Sequence, residues 1–245
     1  MTAPPVRIAM WSGPRNISTA LMRAFENRPD TVVTDEPLYG HYLRTTGLDH
    51  PAREAVLAAQ PEGWREVVAR LTGPVPEGRP AWYQKHMTHH MLPQIGRDWL
   101  AGLTSCFLIR DPHLVLASYV RTRAAPTLAD LGLPQQVEIF EQVRARDGGV
   151  PPVLDAGDVL ADPRRMLGLL CDAVGIPFSE RMLAWPAGRR PNDGVWAPHW
   201  YASVWRSTGF RPPRPPATPL ADQLRPLADA AAPYYRLLHA HRLGA

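Results

Sequence analysis

Residues 7–23, Arg-Ile-Ala-Met-Trp-Ser-Gly-Pro-Arg-Asn-Ile-Ser-Thr-Ala-Leu-Met-Arg, leave few folds open. Ile8 to Trp11 are apolar enough for a buried strand, and Gly13-Pro14 is a turn signal. Asn16, Ser18 and Thr19 can cap a helix whose apolar side includes Leu21, Met22 and Phe25. A buried strand that turns at once into a helix points free backbone N–H groups at one spot. The helix dipole adds partial positive charge there, so the spot suits a phosphate. Arg15 supplies a full charge, and Ser18 and Thr19 supply hydroxyl donors. The P-loop consensus Gly-x-x-x-x-Gly-Lys-Ser/Thr is only half met: Gly13 is present, but Ile17 and Ser18 stand where Gly and Lys are expected before Thr19. The plain alternative is an ordinary strand-to-helix turn.

Further along, strand and helix patterns alternate. Thr31 to Pro37 reads as a strand ending in two carboxylates, Asp35 and Glu36. Residues 51–60 and 63–71 carry helically spaced apolar positions. Residues 81–86 form a third strand, and 89–103 a helix weakened by Pro93 and Gly96. Ser105 to Arg110 is the clearest buried strand. Asp111-Pro112 then opens a helix running to Arg123, since Asp caps and Pro suits the first turn. A helix over 133–146, a short strand at 153–155 and a helix from Asp162-Pro163 to Gly175 follow. This order predicts an α/β fold with a mainly parallel central sheet and helices on both faces. From Ala187 the chain turns irregular and aromatic. Residues 211–219 read as a Pro-rich linker, and 222–243 as a terminal helix.

A chain of 245 residues can bury a proper core, and we expect one domain over 1–245, with a core at about 7–178 and a lid or tail from 187. No apolar run reaches the length of a membrane span, and no signal peptide is visible, so a cytoplasmic protein is expected. Cys106 and Cys171 lie in apolar runs and read as packing thiols. A net charge of +4 is too dispersed to argue for nucleic acid. Of the 27 basic residues, only Lys85 is lysine, which marks a position where a compact ammonium could matter more than a guanidinium.

Three segments together resemble the sulfotransferase family, enzymes that use 3′-phosphoadenosine 5′-phosphosulfate (PAPS). Gly13-Pro-Arg-Asn-Ile-Ser-Thr19 resembles the family's 5′-phosphosulfate loop, departing from it at Asn16 and Ile17. The run from Phe107 to Arg121, Phe-Leu-Ile-Arg-Asp-Pro-His-Leu-Val-Leu-Ala-Ser-Tyr-Val-Arg, resembles the segment that holds the 3′-phosphate. In that segment a strand-end Arg and a Ser eight residues on do the holding, here Arg110 and Ser118. Asp158 to Phe178 is similar to the family's downstream segment, whose role is largely structural. The resemblance implies a P-loop NTPase-like sulfotransferase fold and PAPS as co-substrate, with Gly13, Pro14, Arg15, Asn16, Ile17, Ser18 and Thr19 around its phosphosulfate. Physical reading agrees at Arg110: ligands of open parallel sheets bind at strand C-terminal ends, where a guanidinium can grip a phosphate. Pairing with a nearby Asp is the bland alternative.

Sulfuryl transfer needs charge neutralised on the leaving phosphate and a base for the acceptor. Arg15 and Lys85 suit the charge, and the family places a Lys at the comparable strand end. Two bases are open. Glu36 ranks first, by similarity to bacterial carbohydrate sulfotransferases. His86 ranks second, since adjacent strand residues face opposite ways and Lys85 and His86 need not share a site. Arg206-Ser207-Thr208-Gly209 could close over the cofactor, as a late basic Gly-containing loop does in the family; a packed tail is the alternative. His86, His89 and His90 have no standard metal spacing, so no metal is expected. A small-molecule or carbohydrate acceptor is expected, with no nucleic acid or membrane partner; which acceptor, and the oligomeric state, are not legible in the sequence. A P-loop kinase or nucleotide hydrolase, with Val32–Glu36 imitating a Walker-B strand, and a non-catalytic nucleotide-binding module are the competing readings.

Overall fold

Five strands form one all-parallel sheet in the order β2-β3-β1-β4-β5. They are β1 (Val6–Ser12), β2 (Thr31–Asp35), β3 (Ala81–Met87), β4 (Thr104–Ile109) and β5 (Val153–Asp155). The computed structural model describes residues 4–120, 125–212 and 220–244. Helix α1 (Ser18–Glu26) follows β1, and α2 (Tyr39–Thr46), α3 (Arg53–Ala59) and α4 (Trp64–Thr72) lie between β2 and β3. Between β4 and β5 come α5 (Pro112–Tyr119), α6 (Leu128–Leu131) and α7 (Leu133–Asp147). After β5 come α8 (Ala156–Ala161), α9 (Pro163–Val174), the single turns α10 (Ala197–Trp200) and α11 (Ala202–Trp205), and α12 (Arg225–His239).

Alternation along the strands builds two cores. Ile8, Met10, Val33, Tyr83, Cys106 and Leu108 face one side, against Leu21, Met22 and Phe25 of α1 and the apolar stripe of α9. Ala9, Trp11, Trp82, Phe107 and Ile109 face the other, against α4, α7 and Leu238 of α12. Both faces are therefore covered, as all-parallel sheets require. The central β1 has β3 on one side and β4 on the other. The chain leaves β1 toward β2 and β3 and later crosses to β4. Strand order thus reverses at β1, and the crevice at its carboxyl end is where such sheets bind ligands.

The expected helix stops hold at α9: the Asp162 side chain accepts from Arg165 N at 3.1 Å, and Gly175 takes the left-handed conformation, φ 74°. The expected helix over 89–103 does not form. Two 3₁₀ turns, Thr88–His90 and Asp98–Gly102, replace it, because Pro93 breaks the i→i−4 ladder in the middle. The predicted α5 ends at Tyr119; Arg121 and Arg123, and most of the Pro-rich stretch 211–219, lie outside the described residues. The four- to six-residue helices α6, α8, α10 and α11 carry too few residues to show a period. The irregular segment after 187 is pinned to α1 by a buried ion pair. Arg23 donates to Asp193 and, at 2.7 Å, to Glu26, while Trp205 Nε1 donates to Asp193 at 2.8 Å. Among the described residues, no helix is long and apolar enough to cross a membrane.

Candidate active site

The loop after β1 is held in an unusual backbone. Arg15 and Ile17 have positive φ, 58° and 52°. A β-branched residue in the left-handed region is strained by roughly 1–3 kcal/mol, and such strain persists where surroundings over-determine it. Here three contacts do so. Gly13 lies so close to the next layer that a Cβ would fall 2.4 Å from Leu131 O. Asn16 Nδ2 donates to Leu108 O at 2.6 Å, and Arg110 Nη1 donates to Arg15 O at 2.8 Å. None of the expected capping residues caps α1: its N-cap position is Ile17, with no side-chain acceptor. The first-turn N–H groups are therefore left for a ligand beside the cavity wall formed by residues 14–20. The sequence departs from the P-loop pattern at Ile17, and that is where the backbone adopts a glycine-like angle.

This loop forms one end of a cavity of about 660 Å³. Arg110 leaves the end of β4 and Ser118 lies two turns into α5, and both line it. Arg15 Nε donates to Ser118 Oγ at 2.9 Å, so the loop and the β4–α5 segment meet at one spot. Burial lowers the Arg110 pKa against the pull of Asp155 and Asp111, yet it stays far above neutral, and the guanidinium is a standing cation.

At the other end, β2 and β3 deliver carboxylates and the lone lysine. Asp35 pairs with Lys85 in the parallel register. Lys85 Nζ donates to Asp35 Oδ1 at 2.8 Å, Glu36 Oε1 at 2.7 Å and Tyr201 OH at 2.6 Å. Glu36 bends out of β2 with φ 40°, its N–H still donating to Lys85 O at 3.0 Å and its carbonyl accepting from Gln60 Nε2 at 3.0 Å. Burial opposes the charge on Lys85, but Asp35 and Glu36 outweigh it and hold the ammonium well above its usual range. Burial, with Asp35 adding to it, pushes the Glu36 carboxyl up despite the opposing pull of Lys85. Burial also pushes the Tyr201 hydroxyl well up, so it stays a neutral donor and acceptor. A carboxylate poised above its ordinary range in a cavity is a candidate general base.

His86 is not brought to this cavity. As the next residue on β3 it faces the opposite side, 1% exposed and stacked on Trp11 with ring centroids 4.3 Å apart. Burial lowers its pKa to about 3. The unfolded chain therefore takes up this proton first, and stability is lost as pH falls from about 6.5 toward 3. Lowering pH from 7 to 5 should cost about 2 kcal/mol through His86 alone. Urea unfolding at both values checks this: His86→Phe should show a smaller drop than wild type by that amount, and an equal drop contradicts it.

Arg206, Ser207, Thr208 and Gly209 are also not brought to the cavity. Ser207 Oγ accepts from Trp185 Nε1 at 3.1 Å, Thr208 O accepts from Trp185 N at 3.0 Å, and Gly209 bridges Ala184. This stretch packs beside α1, while Trp200, Tyr201, Ser203 and Val204 line the cavity instead. Pro14, Arg15, Asn16, Ile17, Ser18, Thr19, Glu36, Lys85, Arg110 and Ser118 are brought together around one space; Gly13 supports them from below. Sequence reasoning missed Tyr39, whose hydroxyl lies 2.9 Å from His50 Nδ1 and whose ring stacks on His90 at 4.8 Å. It also missed the role of Asp35, though the paired carboxylates at the strand end were a usable signal.

The sequence profile of the family described as "Sulfotransferase domain" matches residues 6–242. Two proteins of Arabidopsis thaliana are similar along nearly the whole chain. "Branched-chain-amino-acid aminotransferase-like protein 1" is 38% identical over 242 residues, covering 98% of this chain and 42% of that protein. "Branched-chain-amino-acid aminotransferase-like protein 2" is 34% identical over 238 residues, covering 96% and 41%. The chain thus spans about two fifths of the length of these relatives. Among solved structures, the sulfotransferase domain from the curacin biosynthetic pathway superposes with a TM-score of 0.53 at 17% identity, covering 94% of this chain and 99% of that one. The sulfotransferase domain from the Synechococcus PCC 7002 olefin synthase gives 0.50 at 20%, covering 95% and 96%. The sulfotransferase from Alicyclobacillus acidocaldarius gives 0.51 at 12%, covering 98% and 97%. At such identities the likeness is one of fold.

Proposed function

The chain belongs to the sulfotransferase domain family, and from that premise we propose that it moves a sulfuryl group from PAPS to a hydroxyl or amine of a small-molecule or carbohydrate acceptor. The observation that carries this reading is the sharing of one cavity by an anion-suited loop, the Arg110–Ser118 pair and the Glu36–Lys85 pair. The loop residues fit a phosphosulfate: α1 has no side-chain cap, and Arg15, Ser18 and Thr19, all able to donate, line the cavity at its N-terminus. Arg110 and Ser118 would hold the 3′-phosphate, and Arg15 with the α1 N-terminus the 5′ end. PAPS supplies the SO₃ group and 3′,5′-ADP (PAP) as leaving group.

The chain's own residues then do three things. The loop and Arg110 orient the nucleotide. Glu36 takes the proton from the acceptor oxygen or nitrogen as its bond to sulfur forms. Lys85 offers positive charge to the leaving oxygen as the old sulfur–oxygen bond breaks, by analogy with phosphoryl transfer.

The competing Walker-B reading loses support at Asp35, whose two oxygens are already engaged by Lys85 and Tyr201. The aminotransferase wording of the two plant relatives is not carried over either. A pyridoxal Schiff base needs a lysine amine, and the chain's single lysine is held as an ammonium between two carboxylates. Incubating the chain with PAPS and a panel of alcohols, phenols, sugars and amines tests the reading. PAP release that depends on one acceptor class, with a matching sulfated product by mass, is expected; no product from any class contradicts it.

A further inference from the structure

The hydrogen bonds around Lys85 form a closed ring from which Glu36 is left out. An ammonium has three N–H donors, and here each has one acceptor. Tyr201 OH accepts one, and gives its own proton to Asp35 Oδ2 at 2.7 Å rather than to Glu36 Oε1 at 3.5 Å. The other Asp35 oxygen accepts the second Lys85 proton. Lys85, Asp35 and Tyr201 therefore tie one another together with side chains nearly inaccessible to solvent. The Tyr201 oxygen also accepts from Trp196 Nε1 at 3.2 Å, and Asp35 Oδ2 accepts from Gly194 N at 3.4 Å. The segment carrying these groups is in turn fixed to α1 through Asp193. Glu36 hangs outside the ring, its side chain 12% exposed to the cavity, held mainly by the third Lys85 proton.

We propose that Tyr201 is a positioning residue of the transfer site: with Asp35 it fixes two of the three Lys85 N–H bonds, so that the third is aimed at Glu36 and is the one that can be exchanged. This rests on the proposed transfer function for its kinetic consequence. When the third N–H turns to an incoming anionic group, Lys85 stays anchored, and Glu36 loses its counter-charge and becomes more basic. Neutralising the leaving group and freeing the base thus become one event. Without the Tyr201 hydroxyl, Asp35 Oδ2 and Trp196 Nε1 lose a buried partner and the ammonium loses its fixed direction.

Because Lys85 is the only lysine, ¹³C,¹⁵N-lysine labelling of the full chain gives a single side-chain ammonium signal. In wild type this ammonium should exchange slowly with water at pH 7. Tyr201→Phe, which keeps the ring beside Lys85, should speed exchange about tenfold and lower kcat about tenfold, with PAP affinity within about twofold. Unchanged lysine exchange or unchanged kcat overturns the proposal. A wild-type chain without turnover on any acceptor fails the transfer function alone, and the lysine exchange still decides the role of Tyr201. Should Tyr201→Phe not fold, the wild-type signal decides: exchange as fast as that of a free lysine overturns the proposal.

Discussion

Glu36→Gln should lower kcat about a thousandfold while leaving PAP affinity within about twofold, since a positioned general base contributes about 10²–10⁴. The substitution is nearly isosteric, and an amide oxygen at the Oε1 position can still accept from Lys85 Nζ. What disappears is the ability to take a proton. Wild-type kcat should also fall as pH drops through the Glu36 pKa, because only the ionised carboxylate is a base. Burial and Asp35 raise that pKa, so the fall should begin above the ordinary carboxylate range. In Glu36→Gln this acid limb should vanish along with the rate. Steady-state kinetics over pH, with PAP calorimetry alongside, checks both halves. Retained turnover would remove Glu36 from the chemistry and point to a histidine of the cavity wall, His50, His89 or His90, since His86 lies on the far face of the sheet.

Arg110→Ala should weaken PAP about a hundredfold, or about 2.7 kcal/mol, the scale of a charge-assisted phosphate contact. Adenosine 5′-phosphosulfate, which lacks the 3′-phosphate, should lose less than about threefold. The comparison matters because Arg110 has a second task. Its Nη1 donates to Arg15 O at 2.8 Å and so braces the strained loop. Loss of that brace would weaken both nucleotides alike, whereas loss of a 3′-phosphate contact weakens only PAP. Calorimetric titration of the two nucleotides separates the cases, and equal losses reject the 3′-phosphate role.

The sheet was legible because its strands are short, continuous apolar runs bounded by turn residues: Ser105 to Arg110 and Val153 to Asp155 fall within a residue of β4 and β5. The loop after β1 was legible as a turn between a buried strand and a helix, but not in detail. Asn16, Ser18 and Thr19 looked like caps, and the strained conformation at Ile17 leaves α1 uncapped instead. Local preference lost there to contacts far along the chain, from Leu108, Arg110 and Leu131. Lys85 and His86 were separable in advance, because a strand alternates its faces. The late segment was the least legible. Arg206 to Gly209 carry the polar groups expected of a lid, yet Trp185 ties Ser207 and Thr208 down away from the cavity. Tyr201, five residues earlier, is the one that reaches Lys85. Single-turn helices and packing between distant segments leave no periodicity in sequence.

A thermal-shift titration with PAP against ATP·Mg²⁺ tests most directly whether the cavity is built for the sulfotransferase nucleotide. A ligand at a hundred times its Kd adds about 2.7 kcal/mol, or roughly 5–10 °C for a chain of this size. A shift of that size with PAP and none with ATP·Mg²⁺ is the predicted result. A shift with ATP·Mg²⁺ and none with PAP would contradict it and turn the reading toward a kinase or nucleotide hydrolase.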